Sequence, residues 1–278
     1  MLSRCYDGTM DRDALVAANL AWWDERAPVH ANASFYRVEQ LINGESALDP
    51  FELEELPSEA GTSLLHLQCH IGTDTISWAR RGFQVTGLDF SAPAIAEARR
   101  IAAACGIDGT WIVSDVYAAP EVLNRRFDII YTGKGAIDWL DDLGSWAKVV
   151  DQLLNPGGYL YLVEFHPITW ILPDDGWTIA NDYFADQPYV EADPGGSYAA
   201  PEHVTHANLT AEWHHTLGEI ISCIASVGLT VEWLHEFDYT HFAQTTLLEQ
   251  SPDDRRYRIS AGMPRIPLLY SIRARKPI

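Results

Sequence analysis

Residues 63–91 read SLLHLQCHIGTDTISWARRGFQVTGLDFS. The run Leu64-Leu65-His66-Leu67 is too short for a helix and fits a strand buried on both faces. A turn at Gly72 opens a helix from about Asp74 to Arg81, and Gln84 to Leu88 forms a second strand ending in Asp89. Strand, helix and strand in so short a span describe one βαβ unit with parallel strands.

The same alternation continues downstream. Ser91-Ala92-Pro93 supplies an N-cap and a first-turn proline for a helix running to Cys105-Gly106. Trp111-Ile112-Val113 is a third strand, ending in Ser114-Asp115, and Phe127 to Tyr131 is a fourth. A helix covers about Leu143 to Leu154, Asn155-Pro156-Gly157-Gly158 ends it, and Tyr159 to Phe165 is a fifth strand. A helix over His215 to Val227, a strand over Thr230 to Glu236 and a strand over Leu268 to Ala274 follow. The expected fold is α/β, a doubly wound, seven-stranded, mostly parallel sheet. Upstream, Asp11 to Arg26 carries a helical apolar stripe that Pro28 should stop, and Phe35 to Ile42 reads as a second short helix. Residues 1–60 are thus expected to cap a domain spanning 61–278. Residues 166–213 are too long for an ordinary connection and read as a lid or substrate-facing insertion after the fifth strand.

Composition narrows the function. The chain has 278 residues, 47% of them hydrophobic, with 19 Lys and Arg against 39 Asp and Glu. A net charge of −20 argues against nucleic acid or an anionic membrane as the main partner. Cys5, Cys69, Cys105 and Cys223 are widely spaced, which disfavours a disulfide framework or a cysteine zinc site and suits a cytoplasmic location. No run approaches the ~18 apolar residues of a membrane span. His203, His206, His214 and His215 lack metal-ligand spacing and read as surface or lid histidines. Asp138, Asp141 and Asp142 read as a solvated helix entrance, and Cys69 as a small buried filler.

In open parallel sheets, ligands bind outside the carboxyl ends of the strands. Those positions here carry Gln68 to Gly72, Asp89, Asp115 and Thr132-Gly133-Lys134-Gly135. An acid at the end of the second strand is the group expected to hold a ribose diol. The sequence resembles class I S-adenosylmethionine-dependent methyltransferases, whose first motif runs acid-x-Gly-x-Gly-x-Gly. His66-Leu67-Gln68-Cys69-His70-Ile71-Gly72 occupies that register and keeps only Gly72; VTGLDFS, VSDVY, FDIIYTGKG and LLNPGGYLYL follow the pattern more closely. LHLQCHIGTDT together with NLAWWDERAPVH resembles one bacterial branch of that superfamily.

The resemblance implies S-adenosylmethionine as cofactor, S-adenosylhomocysteine as product, and methyl transfer to a small-molecule acceptor. By the same resemblance Asp89 would hold the ribose, Phe90 would line an adenine face, and Asp115 and Val116 would meet the adenine amino edge. Gln68, His70, Gly72 and Thr132 would surround the methionine moiety. A steric argument stands beside it: a dinucleotide needs glycines so that backbone can approach a pyrophosphate, and Gln68 and His70 put side chains there. The alternatives are a non-catalytic binder of S-adenosylmethionine or S-adenosylhomocysteine, and a nucleotide-dependent oxidoreductase. His166, at the fifth strand's end, is a candidate base, expected to share a side with Glu164; the alternative is a histidine that fixes the insertion's exit angle. His30 and Tyr36 in the cap are candidates for touching the acceptor.

Overall fold

A computed structural model describes residues 10–57, 61–173, 178–192 and 195–278; Cys5 and Trp177 lie outside them. Helix α1 (Arg12–Asn32) starts under the Asp11 carboxylate, which accepts the Ala14 N–H at 2.8 Å. Contrary to expectation, α1 runs on past Pro28 to Asn32. Proline removes one helical N–H, but Ala27 and Ala31 are buried in one cluster with Ile95 and Ala98, and this burial offsets the loss. A 3₁₀ turn (Ser34–Tyr36), α2 (Val38–Ile42) and α3 (Pro50–Glu55) complete the N-terminal segment.

β1 (Ser63–Leu67), α4 (Thr73–Arg80), β2 (Gln84–Asp89), α5 (Ala92–Ala104), β3 (Thr110–Val113), α6 (Ala119–Leu123), β4 (Phe127–Thr132), α7 (Leu143–Leu153) and β5 (Leu154–Phe165) then alternate. β6 (Tyr189–Ala192), β7 (Leu209–Glu212), α8 (Leu217–Ser226), β8 (Thr230–Phe237), β9 (Leu248–Gln250), β10 (Tyr257–Ile259) and β11 (Leu269–Arg275) follow. The main sheet has seven strands in the order β3-β2-β1-β4-β5-β11-β8. Only β11 is reversed, pairing antiparallel with both β5 and β8. This is the doubly wound, mostly parallel sheet expected from the sequence.

Alternation along the strands divides the core between two faces. Leu65, Leu67, Ile130, Leu160 and Leu162 pack with Trp146 and Val150 of α7. Leu64, Ile129, Tyr131, Tyr161 and Val163 pack with Trp78 of α4 on the other face. Strand order reverses between β1 and β4, so their carboxyl ends flank the crevice where such sheets bind ligands.

Three details depart from the sequence reading. β5 begins at Leu154, directly after α7, and takes Asn155-Pro156-Gly157-Gly158 into the strand as a bulge; the register against β4 jumps from Phe127↔Leu154 to Ile129↔Tyr159. A Cβ at Gly158 would lie 2.7 Å from the Asp128 carbonyl oxygen, which fixes glycine there. The insertion is partly regular, because β6 and β7 pair antiparallel within it. A second small hairpin, β9 with β10, stands between β8 and β11. Strands of three or four residues leave no periodicity long enough to read. Among the described residues, no helix is long and apolar enough to cross a membrane.

Candidate active site

The loop after β1 keeps the backbone path of a glycine-rich turn without the glycines. Gln68 (φ 56°), His70 (φ 50°) and Gly72 (φ 77°) are all left-handed. For side-chain-bearing residues this costs roughly 1–2 kcal/mol each, strain of the kind held at functional sites. The loop is anchored across the crevice, where Gln68 Nε2 donates to the Ala136 carbonyl at 2.9 Å. Its second anchor is Asp89, whose Oδ2 accepts the His70 N–H at 2.8 Å while Oδ1 accepts the Ser91 N–H at 2.9 Å. Burial pushes the Asp89 carboxyl up to about 6, against the opposing pull of the Ser91 and His70 N–H groups.

A cleft of about 1900 Å³ lies over these strand ends. Gln68, His70, Asp89, Phe90, Asp115, Val116 and Tyr36 line it. Asp115 also accepts the Tyr117 N–H at 2.7 Å and so caps the short turn after β3. Four other candidates stand elsewhere. The face of Gly72 that a Cβ would occupy meets the Trp111 ring at 2.6 Å and Ala98 at 3.0 Å, so this glycine serves close packing within the fold rather than the cleft wall. Thr132 is fully buried with its hydroxyl unpartnered, and Gly133 and Lys134 form the wall at that strand end. His30 is fully buried behind His70: its Nδ1 is 3.2 Å from His70 Nε2, and its Nε2 is 2.7 Å from Ser197 Oγ. Burial, with Arg26 adding to it, lowers His30 to about 3, and burial holds His70 well below the usual histidine range.

His166 is turned away from the cleft. Its Nδ1 accepts the Ile168 N–H at 3.1 Å, capping the turn Pro167–Ile171, and its Nε2 lies 3.0 Å from Glu236 Oε1. Phe165 is the residue of that strand end that lines the cleft. This geometry matches the alternative expected for His166, a histidine that fixes the start of the insertion, and supports that role over a base. Glu164, expected beside it, accepts N–H groups from Gly135, Ala136 at 2.8 Å, Ile137 at 3.0 Å and Phe165 at 2.7 Å. It thereby fixes the loop after β4 from beneath.

Sequence reasoning missed several cleft residues. Asp138, read as solvated, lines the cleft and is raised well above the carboxylate range by burial and by Glu164 and Glu212. Asp142 does cap α7, accepting the Ser145 N–H at 2.9 Å, and Asp141 pairs with Arg12. Glu212 also lines the cleft, pushed up to about 7 by burial and by Glu191. Lys134 is bound to Glu52 at 2.7 Å; burial alone would lower it, yet Glu52, Asp74 and Asp49 together hold it above its ordinary value. Only assembly of distant segments reveals the place of Asp138 and Glu212 in this wall and the acids around Lys134, a strand-end residue already marked by the sequence. Of the insertion histidines, His215 bonds the Leu140 carbonyl at 2.6 Å and His214 packs on Trp170 with ring centroids 3.6 Å apart. Cys69 is buried. Among the described residues, no group of three His, Cys, Asp or Glu side chains is arranged to hold a metal ion.

The residues present suit a nucleoside bearing an amino-acid tail. The Asp89 carboxylate takes backbone N–H groups from His70, Ser91 and Phe90, and with about four lone-pair sites it has acceptor capacity left for a ribose hydroxyl. Gln68 Oε1 is a buried acceptor without a partner in the cleft wall, suited to an ammonium donor.

Residues 65–160 match the family model described as a methyltransferase domain. The chain is 32% identical over 108 residues to a malonyl-[acyl-carrier protein] O-methyltransferase of Enterobacter lignolyticus, covering 39% of this chain and 41% of that protein. It is 26% identical over 160 residues to a ubiquinone biosynthesis O-methyltransferase of Serratia proteamaculans, covering 54% and 59%. The chain thus spans about half the length of these curated relatives. Among solved structures, a putative S-adenosylmethionine-dependent methyltransferase from Listeria monocytogenes superposes with a TM-score of 0.59 at 17% identity, over 82% of this chain and 97% of that one. The seven-stranded sheet thus has the fold of the S-adenosylmethionine-dependent methyltransferase structures it resembles, and residues 65–160 within it match a methyltransferase-domain model.

Proposed function

We propose that the chain transfers a methyl group from S-adenosylmethionine to a small-molecule acceptor held in the cleft above β1 and β4. One observation carries this reading: the left-handed run Gln68, His70 and Gly72 is tied by its backbone to the buried carboxylate of Asp89. The cofactor, when bound, supplies an activated methyl on a sulfonium.

The chain's own residues do the rest. Asp89 takes the ribose hydroxyls, with Phe90, Asp115 and Val116 beside the base. Gln68 offers Oε1 to the ammonium of the amino-acid tail, and Lys134 stands at the far lip. Tyr36, Trp23 and Tyr198 close over the loop from the N-terminal segment and the insertion and exclude water. Such a site accelerates transfer mainly by holding acceptor and methyl in line. Gln68 and His70 fill the space that a pyrophosphate needs, which supports this cofactor over a dinucleotide. The two O-methyltransferases are relatives over about half their length, and their acceptors are their own.

Calorimetry with S-adenosylmethionine, S-adenosylhomocysteine and NAD tests the reading. Binding of both sulfur compounds and not of NAD is expected, with turnover of labelled methyl into a metabolite extract. Tight NAD binding would overturn it. Cofactor binding without turnover across acceptor screens would favour a non-catalytic binder.

A further inference from the structure

Residues 251–256 form the turn that joins β9 to β10. The Ser251 N–H donates to the Arg256 carbonyl at 2.8 Å, and the Arg255 N–H donates to the Ser251 carbonyl at 2.9 Å. Gln250 Nε2 donates to the Arg255 carbonyl at 3.0 Å. Both backbone groups of Arg255 are thus bound, and they hold it left-handed at φ 61°, a strained conformation for a residue with a Cβ. Its neighbour Arg256 fastens the turn to Asp49, ahead of α3, at 3.1 Å. The same carboxylate lies 3.7 Å from Nζ of Lys134, which follows β4. This chain of contacts ties the turn to the end of β4, where the Arg255 side chain lines the rim of the cleft.

Arg255 is the uncommitted cation of the cleft. Of the four Lys and Arg side chains that line it, Arg37 pairs with Glu45, Lys134 with Glu52 and Arg256 with Asp49. The Arg255 guanidinium has no ion pair among the described residues. Asp254, next to it in the chain, is turned to Arg258 at 2.6 Å and to the Arg256 N–H at 3.1 Å. Across the cleft, burial raises Asp138 and Glu212 above the carboxylate range and so favours their neutral forms. Apolar surface also faces the cleft. Phe165, at the end of β5, meets Phe242 edge to face with ring centroids 5.2 Å apart, and Leu172 and Pro173 line the same space.

Resting on the methyltransferase reading, we propose that Arg255 anchors a carboxylate on the methyl acceptor, whose apolar body lies along Phe165 and Phe242. A guanidinium presents a planar fork that donates two parallel N–H bonds to a carboxylate, and one positive charge balances one negative charge. A neutral amide or alcohol accepts a hydrogen bond there without the charge. An ammonium brings no acceptor and is repelled. A phosphate dianion brings a second charge with no second free cation among the described cleft residues to meet it. The left-handed backbone fixes where the long side chain leaves the turn, which is what the strain accomplishes. Arg255 thereby acts on which acceptor enters, at the end of the molecule away from the reacting atom.

Four probes of similar size decide the matter: benzoate, benzamide, benzylammonium and phenyl phosphate, each titrated calorimetrically into the protein saturated with S-adenosylhomocysteine. Benzoate should bind about five- to tenfold tighter than benzamide, the scale of one charge-assisted pair at a partly exposed site, and benzylammonium weakest. Arg255→Gln should abolish that preference, and Arg255→Lys, which keeps the charge without the fork, should retain part of it. Both substitutions spare the turn, because only the backbone of Arg255 is bonded within it. Arg126→Gln, an equal change of charge at an exposed residue outside the cleft wall, should leave the preference whole. Benzoate binding no tighter than benzamide, a preference that survives Arg255→Gln, or one that Arg126→Gln removes as well overturns the anchor. Tighter binding of phenyl phosphate than of benzoate overturns its assignment to a carboxylate. S-adenosylhomocysteine titrated alone keeps the two readings apart: if it does not bind, the cofactor reading fails before any probe is added.

Discussion

The backbone N–H of His70 donates to Asp89 Oδ2 at 2.8 Å, so the loop after β1 and the acid closing β2 move as one body. A carboxylate used in this way has two duties, holding the loop and meeting the ligand.

Asp89→Asn therefore has two readouts. One backbone N–H is left facing an amide NH₂, which should destabilise the fold by about 1–3 kcal/mol. Affinity for S-adenosylmethionine should fall by about tenfold to a hundredfold, as expected when a charged acceptor becomes neutral. Calorimetry and thermal melting measure the two separately. Unchanged affinity would dissociate Asp89 from the cofactor.

The same residue sets a pH dependence. Hydroxyl donors favour ionised Asp89, so affinity should climb as pH rises through about 6. For folding the sign is opposite. The native state holds a proton that the unfolded chain releases, so this group's contribution to stability declines between its ordinary 3.8 and about 6. Asp24, which also raises Asp89, lies against Ser91, while burial holds His30 and His70 below the usual histidine range. A pH titration of affinity that is flat in wild type contradicts this account.

Gly72→Ala should be among the most damaging single-methyl additions. The new Cβ would sit 2.6 Å from Trp111 in a left-handed backbone, costing about 1–2 kcal/mol for the conformation and roughly 1–3 for overpacking. Adding Trp111→Leu should recover the packing part alone. Chemical denaturation of the two variants checks the partition, and no recovery would mean that the backbone conformation carries the whole cost.

His166→Gln should spare the chemistry. Loss of the cap on Pro167–Ile171 costs about 1 kcal/mol, or about 2–4 °C in Tm for a chain of this size. Turnover per folded molecule and its pH profile should match wild type. A drop of a hundredfold would restore His166 as a base.

The sheet was readable because each strand from β1 to β5 carries a short apolar run closed by a polar group, and β1, β2 and β4 owe these runs to burial on both faces. Asp89 and Asp115 were readable for the same reason, since a strand end fixes where a side chain emerges. The acidic wall was not. Asp138 lies in an Asp-rich stretch that looks solvated, and Glu212 belongs to a four-residue strand; their proximity arises only when the insertion folds back onto the loop after β4. The place of His166 outside the cleft wall was not readable, because alternation gives the side of a strand but not where the chain turns after its last residue. Pro28 misled because local helix rules are weaker than the burial of Ala27 and Ala31.

Arg26 has a consequence for how the chain comes into being. Its guanidinium, fully buried over Trp22, donates to the Gly196 and Ala207 carbonyls at 3.0 and 2.7 Å, to Thr205 Oγ1 at 3.0 Å and to Asn208 Oδ1 at 2.9 Å. Nearby, Asn19 exchanges hydrogen bonds with the Ala211 backbone at 2.7 and 2.8 Å. The acceptors lie 170 to 192 positions later in the chain. At about 5–20 residues per second, a ribosome needs roughly ten to forty seconds to deliver them. Through that interval the Arg26 guanidinium, with Trp22 of its own helix beside it, waits for these four acceptors, and Asn19 waits for the Ala211 backbone. Docking of this face of α1 is therefore set by the insertion, which is made well after the helix it fastens.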